Sequence, residues 1–263
     1  NTIGLHVLAS FMSGYGGLVA PPFQRFYMGG EQDIRGFDVR SISPAAFLPT
    51  SSTITLRNPD GSVVPKDPSN PNSPPYTIRV PIDQITFPGG DMSVVSNAEY
   101  RITIAGPVAI APFVDFGIEP VLRSSQLRIN SGELATLNQI PYGCPSVDPF
   151  GNCIGGQSIN FSQNLSIASG TSWQPRASTG LELQVFLPIV NAPFRIYWAY
   201  NPLRLDQLAQ APIQITRGMF PGCPGPNCAA GNFTYQLTKN VFSPQYLLRE
   251  PRKTFRFTVG TTF

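Results

Sequence analysis

The sequence predicts an all-β protein whose antiparallel strands form part of the wall of a transmembrane β-barrel. Three observations predict this fold class: segments of about ten residues with alternating apolar and polar side chains, connections that are alternately long and short, and few charged residues. Charged side chains make up 13% of the 263 residues, while 24 glycines and 28 prolines supply turn chemistry. This balance favours strands joined by turns and long irregular connections over a helical bundle.

Six segments show the alternation of a β-strand, in which successive side chains point to opposite faces. The clearest segment is 91–104. Glu99 and Arg101 share one of its faces, whereas Tyr100 and Ile102 share the other. Such a strand suits a wall between water and lipid, and about ten residues are enough to cross a bilayer at a tilt. The predicted strands are residues 5–11, 91–104, 108–118, 176–187, 194–201 and 255–263.

The connections between these segments are unequal in length. Residues 18–90, 119–174 and 202–253 form long connections, whereas tight turns follow the second and the fourth segment. In an outer-membrane barrel the long loops lie outside the cell and the short turns lie on the periplasmic side. The alternative is a soluble antiparallel sandwich, whose strands alternate in the same way but which gives no reason for this asymmetry.

Six strands are too few to close a membrane barrel, which needs about eight or more. We therefore expect the missing strands to come from a preceding part of the same protein or from another chain, because an open sheet in lipid would leave two unprotected edges. No signal peptide is visible at Asn1, and the start of the chain resembles the middle of a longer protein.

Charge and motif content argue against several classes of function. The net charge of +3 is not concentrated in a Lys/Arg cluster, so nucleic acid is not an expected partner. The single histidine, His6, is not part of a nucleophile–base constellation, and the sequence has no phosphate-binding glycine motif. We therefore expect no enzymatic activity, no cofactor and no metal.

The four cysteines form two close pairs in loops rich in proline, glycine and asparagine. The pairs are Cys144 with Cys153 and Cys223 with Cys228. We expect two short disulfides, formed in an oxidising compartment. Zinc is the alternative, but His6 lies far away in sequence and the cysteines do not form paired CxxC knuckles.

A short motif in the first long connection, Ile34, Arg35, Gly36 and Phe37, suits a loop tip that reaches back inside a barrel. Arg35 offers a fixed fork of donors, which needs carboxylate partners once it leaves bulk water. Gly36 allows a tight turn or a close approach, and Phe37 supplies an apolar anchor. The alternative is an ordinary surface turn with a solvated arginine, because so short a motif has a high false-positive rate.

The surrounding residues make the motif more specific. Residues 29–44 read GGEQDIRGFDVRSISP and resemble the sixth extracellular loop of the BamA/TamA family of outer-membrane assembly proteins. Later segments match in the same order, and the likeness covers nearly the whole chain. They read NAEYR, FVDFG, RASTGLELQ and APFRIYWAY, followed by a last strand that ends in an aromatic residue. The resemblance implies the C-terminal six strands of a sixteen-stranded barrel.

The resemblance also assigns partners to the loop arginine. It implies that Arg35 folds into the barrel lumen and pairs with Glu99 on one strand and Asp115 on the next. The alternation independently places both acids on the polar faces of neighbouring strands. The alternative is that Glu99 and Asp115 pair with Arg101 and Arg195 in a general luminal network.

The last strand resembles the sorting signal and lateral gate of the family. Phe255, Phe257 and Phe263 lie on its outward face, and Gly260 matches a glycine where the gate strand can bend. Glycine weakens strand pairing and permits a kink, so this role is physically reasonable. The alternative is that these are the ordinary lipid-facing residues of a terminal strand.

The function implied by the resemblance is the folding and insertion of client barrel proteins into the bacterial outer membrane. The expected partners are outer-membrane lipids, client outer-membrane proteins and periplasmic assembly lipoproteins. The chain carries none of the periplasmic POTRA repeats that precede the barrel in the family. Two alternatives are a related two-partner secretion or TamA-like translocation barrel and a passive porin, whose pore Arg101, Glu182, Arg195 and Arg256 would line.

Overall fold

The computed structural model describes residues 1–16, 18–187, 192–225 and 227–260. Two α-helices are present within them, and strands make up most of the regular structure. The strands are β1 (Thr2–Phe11), β2 (Ala46–Thr55), β3 (Thr77–Thr86), β4 (Met92–Ala105), β5 (Val108–Ile118), β6 (Ser146–Val147), β7 (Cys153–Ile154), β8 (Ser166–Ile167), β9 (Arg176–Leu187), β10 (Ala192–Leu203), β11 (Asp206–Gln210), β12 (Gln245–Arg249) and β13 (Lys253–Val259). The helices are α1 (Ser131–Gln139) and α2 (Cys228–Phe242).

Six strands form one antiparallel sheet in the order β1, β4, β5, β9, β10, β13, and we call this sheet the wall. Each segment predicted from alternation is a wall strand, so the all-β, antiparallel fold is confirmed. The bounds differ by a few residues: β1 begins at Thr2, β10 begins at Ala192 and β13 begins at Lys253. The predicted end of the last strand, residues 261–263, lies outside the described residues. Within those residues β1 and β13 each pair with one neighbour only, so the sheet is open.

The two faces of the wall differ in chemistry. On the outer face large apolar side chains are exposed, and the exposed fractions of Leu5 and Phe255 reach 75% and 70%. Facing residues continue this stripe across strands, with Trp198 opposite Phe255 in the pairing of β10 with β13. Leaving such a surface in water would forgo about 25 cal/mol for each square ångström of apolar area. Contact with lipid instead of water avoids this cost on the outer face. The inner face, by contrast, carries buried charged residues.

The three long connections meet above the wall in one body, which we call the cap (residues 46–86, 127–168 and 205–249). β2 pairs with β3 from the same connection and with β8 from the next. Hydrogen bonds also cross between connections: the Gly143 N–H donates to Arg79 O at 2.7 Å, and the Cys144 N–H donates to Met219 O at 2.8 Å. The largest cap core consists of Ile54, Leu56, Val64, Tyr76, Ile78, Val80, Cys144, Ile215, Phe220 and Ala230.

The prediction of long irregular connections was therefore wrong in part. The first connection contains the β2–β3 hairpin, the second contains α1, and the third contains α2. β2 and β3 are as long as β1, but Pro49 and Pro81 interrupt their alternation, and the helices are flanked by segments rich in proline and glycine, so the local periodicity of these elements is weak. They gain their stability by packing against one another across connections. Among the residues that the structure describes, neither α1 nor α2 has the length and hydropathy of a membrane-spanning helix.

Both predicted cysteine pairs are joined in the structure. Cys144 is bonded to Cys153 and Cys223 is bonded to Cys228, with Cα atoms 5.4 and 5.0 Å apart. Cys144 is almost fully buried in the cap core, beside the hydroxyl of Tyr76 at 3.1 Å. The first pair thus ties a strand-like loop directly to the centre of the cap.

A buried carboxyl in the cap makes the stability of this region depend on pH. Asp83 on β3 is buried, and its Oδ2 accepts a hydrogen bond from the Ile213 N–H at 2.9 Å. Burial raises the pKa of Asp83, while the bond from Ile213 acts in the opposite direction. The folded cap therefore binds this proton more tightly than the unfolded chain does. The protonated Asp83 therefore contributes to the stability of the cap. This contribution is fully present below about pH 4 and is lost as the pH rises through the pKa of Asp83 in the folded state.

The substitution Asp83→Asn should flatten this pH dependence. An asparagine keeps an oxygen that can accept from Ile213 but carries no charge, so the loss of stability at higher pH should disappear. Thermal unfolding of the full-length protein in detergent, from about pH 4 to about pH 8, measures this effect. Asp60 is a matched control, because it is exposed and hydrogen bonds from Ser62 lower its pKa. An unchanged pH profile in Asp83→Asn would contradict the assignment.

Candidate functional site

The first long connection runs from the cap down to the inner face of the wall through a narrow neck, formed by residues 26–28 and 42. Backbone hydrogen bonds close the neck between Met28 and Ile42, and Phe26 bonds to Gly90 at the start of the wall. Glu119, directly after β5, accepts from the N–H groups of Met28 at 2.6 Å and Gly90 at 3.0 Å. Glu119 thereby fixes both chains of the neck to the wall. Glu119 was not predicted from the sequence, where its only signal is a charge directly after an apolar strand.

Beyond the neck the chain forms the tip, residues 33–38, which contains the predicted motif. Ile34 and Phe37 are completely buried. They pack with Met28, Ile42 and Val95, which are also buried. Burying a large apolar side chain stabilises the folded state by about 1.5–3 kcal/mol, so Ile34 and Phe37 hold the tip against the wall by apolar packing. The predicted anchoring role of Phe37 thus has a physical basis in the structure.

Gly36 allows the tip to lie directly on the inner face of β10. Its φ is +91°, in the region that favours glycine. A Cβ at this position would lie 2.5 Å from Asn201 Oδ1 and 2.8 Å from Ala199 Cβ. The Gly36 carbonyl accepts hydrogen bonds from Asn201 Nδ2 at 3.0 Å and from Thr254 Oγ1 at 2.7 Å. The absence of a side chain is therefore what permits these two bonds.

Arg35 is completely buried, and Asp115 on β5 is its principal partner. The guanidinium donates from Nε to Oδ2 and from Nη2 to Oδ1, both at 2.8 Å. The backbone N–H of Arg35 also donates to Asp115 Oδ2, at 2.9 Å. This two-pronged geometry is the strongest form of arginine–carboxylate contact, and lysine cannot reproduce it. The structure thus brings together Arg35 and Asp115, as the resemblance implies.

Two further carboxylates approach the same guanidinium. Arg35 Nη1 lies 2.8 Å from Glu99 Oε2 on β4 and 3.3 Å from Glu182 Oε2 on β9. The ring of Phe113 lies beneath the guanidinium, with its centroid 3.8 Å from Arg35 Cζ. Glu99 was expected as a partner, whereas Glu182 was not. The alternation already placed Glu182 on the polar face of its strand, but no pattern in the sequence indicates that this position lies close to the loop.

The surrounding charges balance this group of acids. Arg195 donates to Glu182 from Nε at 2.5 Å and from Nη2 at 2.6 Å. Arg101 pairs with Glu99. Three carboxylates therefore meet three guanidiniums, with Arg35 at the centre. Buried charges persist only when they are paired and hydrogen-bonded, and this network satisfies that condition.

The alternative pairing of Glu99 and Asp115 with Arg101 and Arg195 is present in part. Glu99 binds both Arg35 and Arg101, so the loop contact and the general luminal pairing coexist on one carboxylate. Arg195 pairs with Glu182 rather than with Glu99 or Asp115. Glu182 and Arg195 are buried, so the expectation that they line an open pore does not match their position.

The tip also reaches the last strand of the wall. At one end, the Asp33 carbonyl accepts from Asn97 Nδ2 on β4 at 2.6 Å. At the other end, Asp38 forms an ion pair with Arg256 on β13, next to the bond from Thr254 to Gly36. The six-residue tip therefore joins β4, β5, β9, β10 and β13 through polar contacts. Asn201 and Thr254 were not predicted from the sequence. Asn201 lies on the inward-facing side of a predicted strand, whereas Thr254 lies one residue before the predicted start of the last strand and within the observed β13.

The predicted residues of the terminal strand lie mostly on the outer face. The exposed fractions of Phe255 and Phe257 are 70% and 56%, and the Phe257 ring contacts Phe194 at a centroid distance of 4.3 Å. Gly260 directly follows β13, and its N–H donates to Pro193 O at 3.1 Å. Phe263 lies outside the described residues. The outward stripe is thus present, and the gate role of these residues stays a prediction.

Comparison with known proteins identifies the family of this chain. A family model described as the Omp85 superfamily domain matches residues 2–263. No curated protein and no solved structure matches the chain significantly. The matched range includes the whole wall, the cap and the docked tip. This chain therefore belongs to the Omp85 superfamily of outer-membrane barrel proteins.

Proposed function

We propose that this chain is the barrel portion of an outer-membrane assembly factor, which folds and inserts client β-barrels into the bacterial outer membrane. Membership of the Omp85 superfamily implies a barrel that assembles or translocates proteins. The choice of assembly rests on the stretch GGEQDIRGFDVRSISP, whose residues after the tip resemble the BamA side of the family. The partners that follow are outer-membrane lipids, unfolded client barrels and periplasmic assembly lipoproteins. The proposal involves no covalent chemistry.

The observation that carries this proposal is the attachment of the tip to the terminal strand. Gly36 binds Thr254 and Asp38 binds Arg256, so the position of the loop and the position of β13 are linked. Within the described residues, the second edge of β13 has no paired strand. A free edge presents N–H and C=O groups that can template an incoming strand by backbone hydrogen bonding. A loop that steadies this strand would control when the edge becomes available.

The test compares three activities of the full-length protein in liposomes. We expect client barrels diluted from urea to fold about tenfold faster than in empty liposomes, equivalent to lowering the barrier by about 1.4 kcal/mol. Ion conductance should stay low, because the tip occupies the inner face. Transport of a secreted protein without faster client folding would instead favour the translocation barrel, and large persistent conductance would favour the porin.

A variant of the terminal strand tests the link between loop and edge. Thr254→Val removes the hydroxyl that donates to Gly36 while keeping the shape of the side chain. A typical hydrogen bond of this kind contributes about 0.5–1.5 kcal/mol, so loosening the tip at this point should lower the rate of client folding severalfold. Thr258→Val is the matched control, because Thr258 lies on the same face of β13 and no hydrogen bond to the tip is found for it among the described residues. Equal rates for both variants would argue against the link.

A further inference from the structure

Four basic side chains cluster where the outer face of the wall meets the cap. Arg204 lies between β10 and β11, Arg249 ends β12, and Arg252 and Lys253 lie at the start of β13. Arg252 and Lys253 are exposed, and the side chain of Arg249 is 60% exposed. We call these four residues the basic cluster. Neither the assembly function nor the docked tip uses them.

The basic cluster carries an excess of positive charge. Asp206 lies at its centre, paired with Arg204 and with Arg249, whose Nε lies 2.9 Å from Asp206 Oδ1. The hydrogen bond from Arg249 holds the pKa of Asp206 below its usual range, and the charges of Arg204 and Arg252 act in the same direction. Three arginines thus share one carboxylate, and the ammonium of Lys253 adds a fourth positive charge beside Arg252.

The neighbouring acid is committed elsewhere. Glu250 lies 2.8 Å from Arg176 Nε and also accepts from the Leu205 N–H at 2.6 Å. It therefore does not neutralise the basic cluster. The exposed surplus of positive charge is available to an anion from outside the chain.

The position of the basic cluster relative to the wall indicates which anion it meets. Lys253 lies directly opposite Tyr200 in the pairing of β10 with β13, and the next outward pair is Trp198 with Phe255. Arg252 Nη2 donates to the hydroxyl of Tyr200 at 3.3 Å. The outer face thus passes from apolar residues to a tyrosine and then to cations. Residues at a membrane–water boundary follow the same order, with apolar side chains in the hydrocarbon core, aromatic rings at headgroup level and charged side chains in water.

We propose that the basic cluster binds the phosphate groups of an anionic lipid in the outer leaflet of the membrane. Arginine forks and a lysine ammonium form charge-assisted hydrogen bonds with phosphate oxygens, and the apolar stripe below offers a surface for the acyl chains. A lipid bound here lies against the terminal strand and holds its extracellular end at headgroup level. The inference rests on the proposed placement of the wall in the outer membrane.

The experiment measures binding of lipid A with two phosphates and of lipid A without phosphates to the full-length protein in phosphatidylcholine nanodiscs. We expect the phosphorylated lipid to bind about tenfold more tightly, which corresponds to about 1.4 kcal/mol. The double variant Arg249→Gln, Lys253→Gln should lose most of this preference. The control Lys66→Gln, Arg128→Gln removes the same charge from exposed cap residues and should keep it.

The outcomes separate this inference from the membrane placement. Failure of the wild-type protein to enter nanodiscs would overturn both. Insertion with equal affinity for the two lipids would overturn the phosphate site alone, as would an equal loss of preference in the control variant. Retained β-sheet circular dichroism in both double variants shows that they differ in charge and not in folding.

Discussion

Replacing Arg35 with alanine should loosen the tip from the wall and abolish most of the assembly activity. The substitution leaves Asp115 and Glu99 buried without their central cation, and breaking a buried ion pair in this way costs about 3–5 kcal/mol. Asp115 would be affected most, since it loses both prongs of the arginine fork. Water that enters the vacated space offsets part of this cost, so we expect a loss near the lower end of this range, about 3 kcal/mol.

The matched control for this substitution is Arg40→Ala. Arg40 belongs to the same loop but is exposed, and its guanidinium lies 4.8 Å from the centroid of the Tyr27 ring. An exposed contact of this kind contributes about 0.5–1 kcal/mol. The midpoint of thermal unfolding and the rate of client folding, measured on full-length protein, compare the two variants. Equal and negligible effects would refute the role of Arg35 as the lock between loop and wall.

A lysine at the same position separates charge from geometry. Arg35→Lys keeps one positive charge but cannot donate to both oxygens of Asp115 while reaching Glu99. We expect a loss of stability between those of the wild type and Arg35→Ala. A lysine variant equal to wild type would mean that charge alone holds the tip.

The second large effect is expected from Gly36→Ala, which should displace the tip from β10. The added methyl group would lie 2.5 Å from Asn201 Oδ1 and 2.8 Å from Ala199 Cβ, closer than real Cβ atoms approach such neighbours. The positive φ adds strain of about 1–3 kcal/mol. Moving the tip to relieve the clash would also break the bonds from Asn201 and Thr254 to the Gly36 carbonyl.

Gly61→Ala is the control that separates backbone strain at a positive φ from the steric clash of the added Cβ. Gly61 also has a positive φ, +86°, but no atom lies within 4 Å of an added Cβ. It should show the strain alone, whereas Gly36→Ala should show strain and loss of docking. Hydrogen exchange of residues 33–38 measures docking directly, and faster exchange is expected only in Gly36→Ala. Equal exchange in both variants would contradict the close approach of Gly36 to β10.

The prediction from sequence succeeded where short-range geometry decides the outcome. The alternation in residues 91–104 and 108–118 identified two wall strands, because side chains on a strand must alternate between faces. The same rule placed Glu99 and Asp115 on the inner face, and the resemblance to a known loop supplied Arg35 as their partner. The structure brings these three residues together.

The prediction failed for contacts that depend on how the long connections fold. The cap was expected to be irregular, because its two long strands each contain a proline that blurs the alternation and its helices are flanked by segments rich in proline and glycine. Glu119 was not assigned to the neck and Glu182 was not assigned to the tip, because a charge in the sequence does not indicate which distant loop it will meet. The basic cluster was also missed, since Arg204, Arg249 and Lys253 lie up to about fifty residues apart in the chain.

The sequence by itself thus determined the six strands, their two faces and the residues of the tip motif, because backbone geometry imposes a period of two on every strand. Only the tertiary structure decided that the tip contacts the wall from Asn97 on β4 to Arg256 on β13 and that Glu182 completes its charge network. The physical reason is that a buried arginine pairs with those carboxylates that the folded chain places within hydrogen-bonding distance of its guanidinium. Their identity depends on strand register and loop path together.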